Sequence, residues 1–247
     1  MRVIAVYSIK GGVGKTASAV NLAHLSAAAG ARTLIWDLDP QGASTFYFRV
    51  KPKLRGGSRK LLRGKRKLDR FIRGTDYEDL DLLPADFDHR HLDLALDAAG
   101  KPRKRLGKRI RPLAGEYDHL YIDCAPSISL VSESVFQAAD ALLVPVIPTT
   151  LSLLTYQQLL DFLEGHRIFG LEMMPFFSMV DRRKRMHLDV MESLPDTRRE
   201  LLSTRIPYAS DVEKMGIHRM PVGGFAPHCP ASKAYEQLWK EVQQRMV

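Results

Sequence analysis

The stretch "VIAVYSIKGGVGKTAS", residues 3–18, joins an apolar run to a glycine-rich loop that ends in Lys-Thr and leads into a helical pattern. Strand, glycine-rich loop and helix in this order are the context of a phosphate-binding loop, whose backbone N–H groups surround phosphate oxygens. In such a loop Lys15 would neutralise the β- and γ-phosphates, and the Thr16 hydroxyl would bind Mg²⁺. The predicted phosphate-binding residues are Gly11, Gly12, Val13, Gly14, Lys15, Thr16 and Ala17.

The rest of the chain continues the alternation of apolar runs and amphipathic segments. The runs that predict strands lie at 3–7, 33–38, 80–85, 119–124, 141–147 and 174–180. Helical spacing of apolar residues occurs at 16–29, 88–99, 152–164 and 231–246. This order predicts an α/β fold: a doubly wound, mostly parallel sheet with helices on both faces, in a single domain spanning residues 1–247.

Charge is distributed unevenly along the chain. The net charge is +9, but residues 49–70 carry +10 and residues 101–113 carry +7, so the remainder carries −8. An acidic body with two basic insertions indicates a polyanionic partner, because evenly scattered charge would not concentrate the field. A solvated charged surface is the alternative explanation.

Cysteine content and hydropathy indicate the compartment. Cys124 and Cys229 lie far apart without a C-x-x-C spacing, which is typical of a reducing environment rather than a disulfide framework. No apolar run approaches the roughly 20 residues that a bilayer span requires. We expect a cytoplasmic protein with no membrane span.

The phosphate loop departs from the usual G-x-x-x-x-G-K-T pattern, because Ile9 stands at the first glycine and is followed by an extra lysine, Lys10. The sequence "KGGVGKT", residues 10–16, resembles the deviant Walker A motif of the ParA/MinD family of ATPases. The resemblance implies a P-loop fold, ATP and Mg²⁺ as cofactors, and a homodimer that forms when ATP is bound. It also implies that Lys10 reaches the phosphates of the partner protomer, while Lys15 serves its own site.

Two further motifs support the resemblance. "TLIWDLDPQGAST", residues 33–45, is similar to the family's second motif, which implies that Asp39 orients the attacking water and that Asp37 lies near the magnesium shell. "YDHLYIDCAPS", residues 117–127, resembles the Walker B strand, so Asp123 would hold Mg²⁺ through water. Acids at the carboxyl ends of parallel strands are well placed for such roles. Looser matches place adenine contacts near Val180, Asp181 and Pro207.

Within the family, the basic insertions favour the partition ATPases, which bind nucleoid DNA without sequence preference. Such binding depends on Lys/Arg density rather than on residues that read bases. The predicted DNA contacts are Arg63, Lys65, Arg66, Lys67, Arg103, Lys104, Arg105 and Lys108. The resemblance then implies a slow, adaptor-stimulated ATPase, nucleoid-associated in a prokaryote, that positions a plasmid, a chromosome region or a protein organelle.

Other interpretations stay open at this point. Asp211 stands where many chromosomal partition ATPases carry an arginine, so DNA contact would use other cations, such as those at 182–185. Residues 49–70 could instead bind an acidic adaptor or polyphosphate. A MinD-like membrane-associated division-site ATPase is disfavoured, because "KEVQQRMV" at 240–247 has few apolar residues for membrane insertion. A metabolic P-loop amidotransferase or synthetase would not need the basic insertions.

Overall fold

The computed structural model describes residues 1–52, 68–85, 92–98, 102–193 and 200–246. Within these ranges eight strands form a single sheet in the order β3-β4-β2-β5-β1-β6-β7-β8, and all pairs are parallel except β3 with β4. The strands are β1 Arg2–Val6, β2 Thr33–Asp37, β3 Arg73–Gly74, β4 Leu80–Leu83, β5 His119–Asp123, β6 Ala141–Val146, β7 Glu172–Val180 and β8 Arg205–Pro207. The predicted fold class is therefore confirmed.

Helices cover both faces of the sheet. They are α1 Lys15–Ala28, α2 Ala43–Tyr47, α3 Leu92–Asp97, α4 Arg105–Ile110, α5 Leu130–Phe136, α6 Thr150–Gly165, α7 Arg185–Ser193, α8 Ser210–His218 and α9 Pro230–Arg245. One apolar core lies between the sheet and α3 to α6, and a second lies between the sheet and α1, α8 and α9. The central strands are buried on both faces, which explains their nearly continuous apolar sequences.

The predicted elements agree with the structure to within a few residues at their ends. The predicted helix at 88–99 is described only in part, and its described part forms α3. The short strands β3 and β8 were not predicted, because two- and three-residue strands carry no periodicity that a sequence pattern can show.

Strand order determines where the functional residues meet. β1 lies between β5 and β6, and β5 lies between β1 and β2. In this register Val6 pairs with Asp123, and Asp37 pairs with Asp123. The loop that follows β1 therefore opens beside two aspartates at the carboxyl edge of the sheet.

Candidate nucleotide-binding site

The phosphate loop connects β1 to α1 and depends on glycine backbone geometry. Gly12 and Gly14 have φ values of 69° and 89°, in the left-handed region that favours glycine. A Cβ atom on Gly14 would also lie 2.9 Å from the Ser178 hydroxyl. Gly14 is the N-cap of α1, and no side chain of the described residues caps this helix. The first N–H groups of α1 are therefore suited to bind an anion.

Lys15 lies inside the cleft formed by this loop. The residue is 6% exposed, and its Nζ donates a hydrogen bond of 3.1 Å to the carbonyl of Lys10. Burial lowers the pKa of Lys15, while the neighbouring carboxylate of Asp123 raises it. An amine that is removed from water and has one carbonyl partner can interact strongly with phosphate oxygens.

Asp123 ends β5 and is fully buried beside the loop. Its Oδ2 accepts a hydrogen bond of 2.7 Å from the Ser44 hydroxyl, whereas its Oδ1 has no hydrogen-bond partner among the described residues. Burial raises the pKa of Asp123, and the hydroxyls of Ser44 and Thr16 oppose this shift. The unpartnered Oδ1, on a carboxylate that the Thr16 hydroxyl also neighbours, fits the hydrated shell of Mg²⁺, which prefers oxygen ligands and retains water.

Asp37 ends β2 next to Asp123, and it is also fully buried. Its Oδ2 accepts hydrogen bonds from the backbone N–H and the hydroxyl of Thr45, at 2.8 and 2.7 Å, and its Oδ1 accepts one from the N–H of Asp39 at 3.2 Å. Burial, reinforced by the charge of Asp123, raises the pKa of Asp37. Asp37 thus holds the loop that leads into α2, and its contribution to the magnesium shell stays a prediction.

Asp39 lines the same cleft as Lys15 and Thr16 and is partly exposed. Its Oδ1 accepts a hydrogen bond of 2.9 Å from the N–H of Gln41, which orients the carboxylate within the loop. A carboxylate in this position can orient a water molecule for attack on a phosphate held by the loop.

The cleft has a volume of about 470 Å³ and extends from the phosphate loop to the start of α8. Of the three predicted adenine contacts, Pro207 lines it. Val180 and Asp181 are not part of its lining: Val180 is buried, and Asp181 pairs with Arg183 at 2.9 Å. Residues of the lining that were not predicted individually include Tyr47, Met179, Tyr208, Val212, Glu213 and Tyr235. Tyr208, Val212 and Glu213 belong to the segment "IPYASDVEKM", residues 206–215, whose looser match to the family predicted base contacts around Pro207.

Lys10 leaves the cleft although it belongs to the same loop. Its Nζ donates a hydrogen bond of 3.3 Å to the Ser152 hydroxyl in the first turn of α6. Lys10 instead lines a small crevice with Ser152 and Tyr156. The first lysine of the motif, Lys10, is therefore directed away from the protomer's own phosphate site.

The predicted DNA contacts divide into two groups. Arg63, Lys65, Arg66 and Lys67 lie outside the described residues. In the second group, Arg103 forms an ion pair of 2.5 Å with Glu133, so its guanidinium is engaged within the protein. Lys104 and Lys108 are exposed, and Arg105 is partly exposed.

Comparison with known proteins identifies the family. A family model described as an AAA domain matches residues 1–167. The chain is 31% identical over 258 residues to the chromosome partitioning protein ParA of Caulobacter vibrioides, covering 99% of this chain and 95% of that protein. The chain belongs to the ParA family of P-loop ATPases. It is also 36% identical to the chromosome partitioning protein ParA of Myxococcus xanthus, over 146 residues that make up 59% of this chain and 52% of that protein.

A solved structure shares the fold of this chain and holds a nucleotide analogue with magnesium. The crystal structure of cobyrinic acid a,c-diamide synthase from Mycobacterium smegmatis, with bound ATP analogue and magnesium, matches with a TM-score of 0.84 and 27% identity. The match covers 100% of this chain and 95% of that chain. ATP and Mg²⁺ are the cofactors that the phosphate loop, Thr16 and Asp123 fit. Among the described residues, no helix is long and apolar enough to cross a membrane.

Proposed function

We propose that this ParA-type ATPase forms a dimer on binding ATP, binds DNA without sequence preference in that state, and positions a cargo whose adaptor stimulates hydrolysis. The observation that carries the proposal is the divergence of Lys10 and Lys15. Lys15 occupies the cleft, while the amine of Lys10 bonds to Ser152 outside it. A lysine whose amine lies outside its own nucleotide cleft is suited to complete the site of a second protomer.

Hydrolysis follows from positioning and charge, because phosphoryl transfer requires little covalent chemistry from the protein. Lys15 and the N-terminal N–H groups of α1 bind the β- and γ-phosphates, and Asp39 orients water. Thr16 and Asp123 would hold Mg²⁺, which would neutralise charge on the phosphate oxygens. Each site lacks its second cation until a partner supplies Lys10, so turnover is slow in the monomer and depends on assembly.

The described part of the second basic insertion supports DNA binding. Leu106 and Ile110 of α4 are buried, whereas Lys104, Lys108 and Arg111 are exposed. These three cations are separated by four and three residues, so they share one face of the helical segment 104–111. We call them the α4 cationic stripe. Arg103 anchors its start through Glu133, and such a stripe can follow a phosphate backbone without reading bases.

The test measures retention of the full chain on a duplex of arbitrary sequence at several salt concentrations. With a slowly hydrolysed ATP analogue and Mg²⁺, we expect a dimer by light scattering and DNA binding that weakens steeply with salt. Replacing the α4 cationic stripe by alanines should reduce the slope of log K against log salt by up to about 0.9 per lost contact. A dimer that does not bind DNA at low salt would refute the DNA proposal, and failure to dimerise would refute the role of Lys10.

A matched control variant removes three positive charges at exposed positions outside the α4 cationic stripe. Arg167, Lys233 and Lys240 are exposed and lie outside the stripe. Their joint replacement by alanine should leave most of the DNA affinity intact. If the control variant loses as much affinity as the stripe variant, net charge rather than the α4 surface is responsible.

The likeness to a structure named as a diamide synthase favours a second candidate, ATP-dependent amidation of a carboxylate. This candidate predicts that ATP turnover rises when cobyrinic acid and an ammonia donor are supplied together. Turnover that responds to DNA and not to these compounds excludes it.

A further inference from the structure

Helix α2 is short, yet its side chains hold the carboxylates of Asp37 and Asp123, both of which are predicted to lie near Mg²⁺. Ser44 donates to Asp123 and Thr45 donates to Asp37, each at 2.7 Å between oxygens. The helix has five residues, and its N-cap, Gly42, has a left-handed backbone with no side-chain cap from the described residues. Helices of this length are not stable alone in water. The position of α2 must therefore come from tertiary contacts.

Arg219 provides such a contact at the opposite end of α2. Its Nε donates a hydrogen bond of 3.1 Å to the carbonyl of Phe46, and its guanidinium carbon lies 4.5 Å from the centre of the Phe46 ring. A guanidinium that meets both a carbonyl and an aromatic face combines a charge-assisted hydrogen bond with a cation–π contact. The carbonyl of Phe46 lies in the last turn of α2, where a cation is favourable.

The contact between the two helices is reciprocal. Arg49, which follows α2, donates a hydrogen bond of 3.2 Å to the carbonyl of His218 at the end of α8. Arg219 directly follows α8 and has a left-handed φ of 52°. Each segment therefore contributes one arginine to a carbonyl of the other.

Helix α8 connects this contact to the nucleotide cleft. Ala209, Val212 and Glu213, at and near its N-terminal end, line the cleft away from the phosphate loop. Its C-terminal end meets α2 through Arg219. The helix thus extends from the far end of the nucleotide cleft to the helix that holds Asp37 and Asp123.

We propose that Arg219 is a positioning residue for the magnesium site. It fixes α2 so that Ser44 and Thr45 hold the two aspartates and leave Oδ1 of Asp123 without a hydrogen-bond partner among the described residues, where it would hold hydrated Mg²⁺. Arg219 lies 173 residues from Phe46 in sequence and outside the loop, the Asp37 motif and the Asp123 motif. The inference rests on nucleotide and Mg²⁺ binding, and it is independent of the DNA and dimer proposals.

Two measurements on the Arg219→Ala variant test the proposal. In the protein without ligand, amide hydrogen exchange of residues 43–47 should be about tenfold faster, the effect expected when a hydrogen bond from a charged donor is lost. The Mg²⁺ concentration that half-saturates the tight binding of a fluorescent ATP analogue should rise severalfold. Affinity for the analogue without Mg²⁺ should not change, because the phosphate loop is untouched.

Three further variants make the result specific. Arg167→Ala removes an arginine with a similar left-handed φ of 53° that follows α6, so it controls for backbone strain and should leave both measurements unchanged. Phe46→Leu removes the ring contact and retains the carbonyl, so its effect should be smaller. Arg219→Lys retains a cation, so its changes in hydrogen exchange and in Mg²⁺ dependence should both be smaller than those of Arg219→Ala. It replaces the alanine variant if that variant does not fold.

Several outcomes would overturn the proposal. Unchanged exchange in α2 would show that Arg219 does not hold the helix. Faster exchange with unchanged Mg²⁺ dependence would show that α2 does not need Arg219 to form the metal site. An equal effect of Arg167→Ala, or an equal loss of affinity with and without Mg²⁺, would indicate a general loss of stability.

Discussion

The amines of Lys10 and Lys15 have different partners although the two residues belong to one loop. Nζ of Lys15 donates to the carbonyl of Lys10, while Nζ of Lys10 donates to the Ser152 hydroxyl in the first turn of α6. That hydroxyl also lies 2.9 Å from the hydroxyl of Thr149, the N-cap of α6. A cation near the N-terminus of a helix faces the positive end of its dipole. An anionic phosphate would therefore be a better partner for the Lys10 amine than the hydroxyl at the N-terminal end of α6.

The Lys15→Ala variant should lose nucleotide binding. Lys15 is buried in the cleft, and its removal leaves the phosphates without the cation of their own loop. Titration of a fluorescent ATP analogue in the presence of Mg²⁺ measures the effect, which should be at least about a hundredfold in Kd, as for loss of a charge-assisted contact in a site shielded from water. Wild-type affinity in this variant would contradict the assignment of the loop.

The Lys10→Ala variant should bind ATP normally and lose hydrolysis and dimer formation. The side chain lies outside the cleft, so its loss leaves the contacts of the protomer's own nucleotide intact. Three measurements distinguish the role of Lys10 from that of Lys15: the Kd for the ATP analogue, the rate of ATP turnover, and the molar mass in solution. If Lys10→Ala hydrolyses ATP at the wild-type rate, its action on the partner's phosphates is excluded.

Asp39→Asn should retain ATP and stop turnover. Asparagine can still accept the hydrogen bond from the N–H of Gln41, so the turn is maintained while the charge that orients water is removed. We expect turnover to fall by about a hundredfold or more, the usual contribution of a positioned proton acceptor. Gel filtration with ATP should show a persistent dimer. Normal release of phosphate by this variant would remove Asp39 from the mechanism.

Local sequence patterns predict those parts of the site whose structure depends on consecutive residues. The phosphate loop, α1 and the strands that end in Asp37 and Asp123 follow from one glycine-rich motif and two apolar runs, because each needs only its own residues and the edge of a parallel sheet. That Asp37 and Asp123 meet follows from strand order, which the sequence pattern alone does not contain.

Contacts between distant segments account for what was missed. Tyr208 and Glu213 line the cleft because β8 and α8 pack beside the loop, and the looser match around Pro207 did not show which side chains of this segment face the cleft. Arg219 and Phe46 meet across 173 residues. The ion pair of Arg103 with Glu133 likewise depends on how the segment before α4 packs on α5, so a block of cations in the sequence did not reveal which guanidinium is engaged.

The stability of the ligand-free protein should fall as pH rises toward 8 because of Asp37. Burial, with the neighbouring Asp123, raises the pKa of Asp37 to about 8 in the folded protein, whereas an aspartate in an unfolded chain titrates near about 4. Between these values the folded state binds more protons than the unfolded state, so the free energy of unfolding decreases with increasing pH.

Two partly buried histidines, His24 and His119, have the opposite effect on stability. Partial burial lowers their pKa values, so below about pH 6.5, the ordinary pKa of histidine, the free energy of unfolding rises with increasing pH. The informative quantity is therefore the difference in slope between wild type and Asp37→Asn, measured by urea unfolding from pH 5 to pH 8 without nucleotide or metal. The variant should lose less stability over this range than the wild type.

Asp118→Asn is the control for this comparison. Arg32 holds the pKa of Asp118 at about 2, so this exposed carboxylate is ionised in both the folded and the unfolded state throughout the range. Its replacement should leave the slope unchanged. Adding Mg²⁺ should restore part of the wild-type stability at pH 8, because the metal favours the ionised form of the neighbouring Asp123. Equal slopes in wild type and Asp37→Asn would show that Asp37 is already ionised in the folded protein at neutral pH.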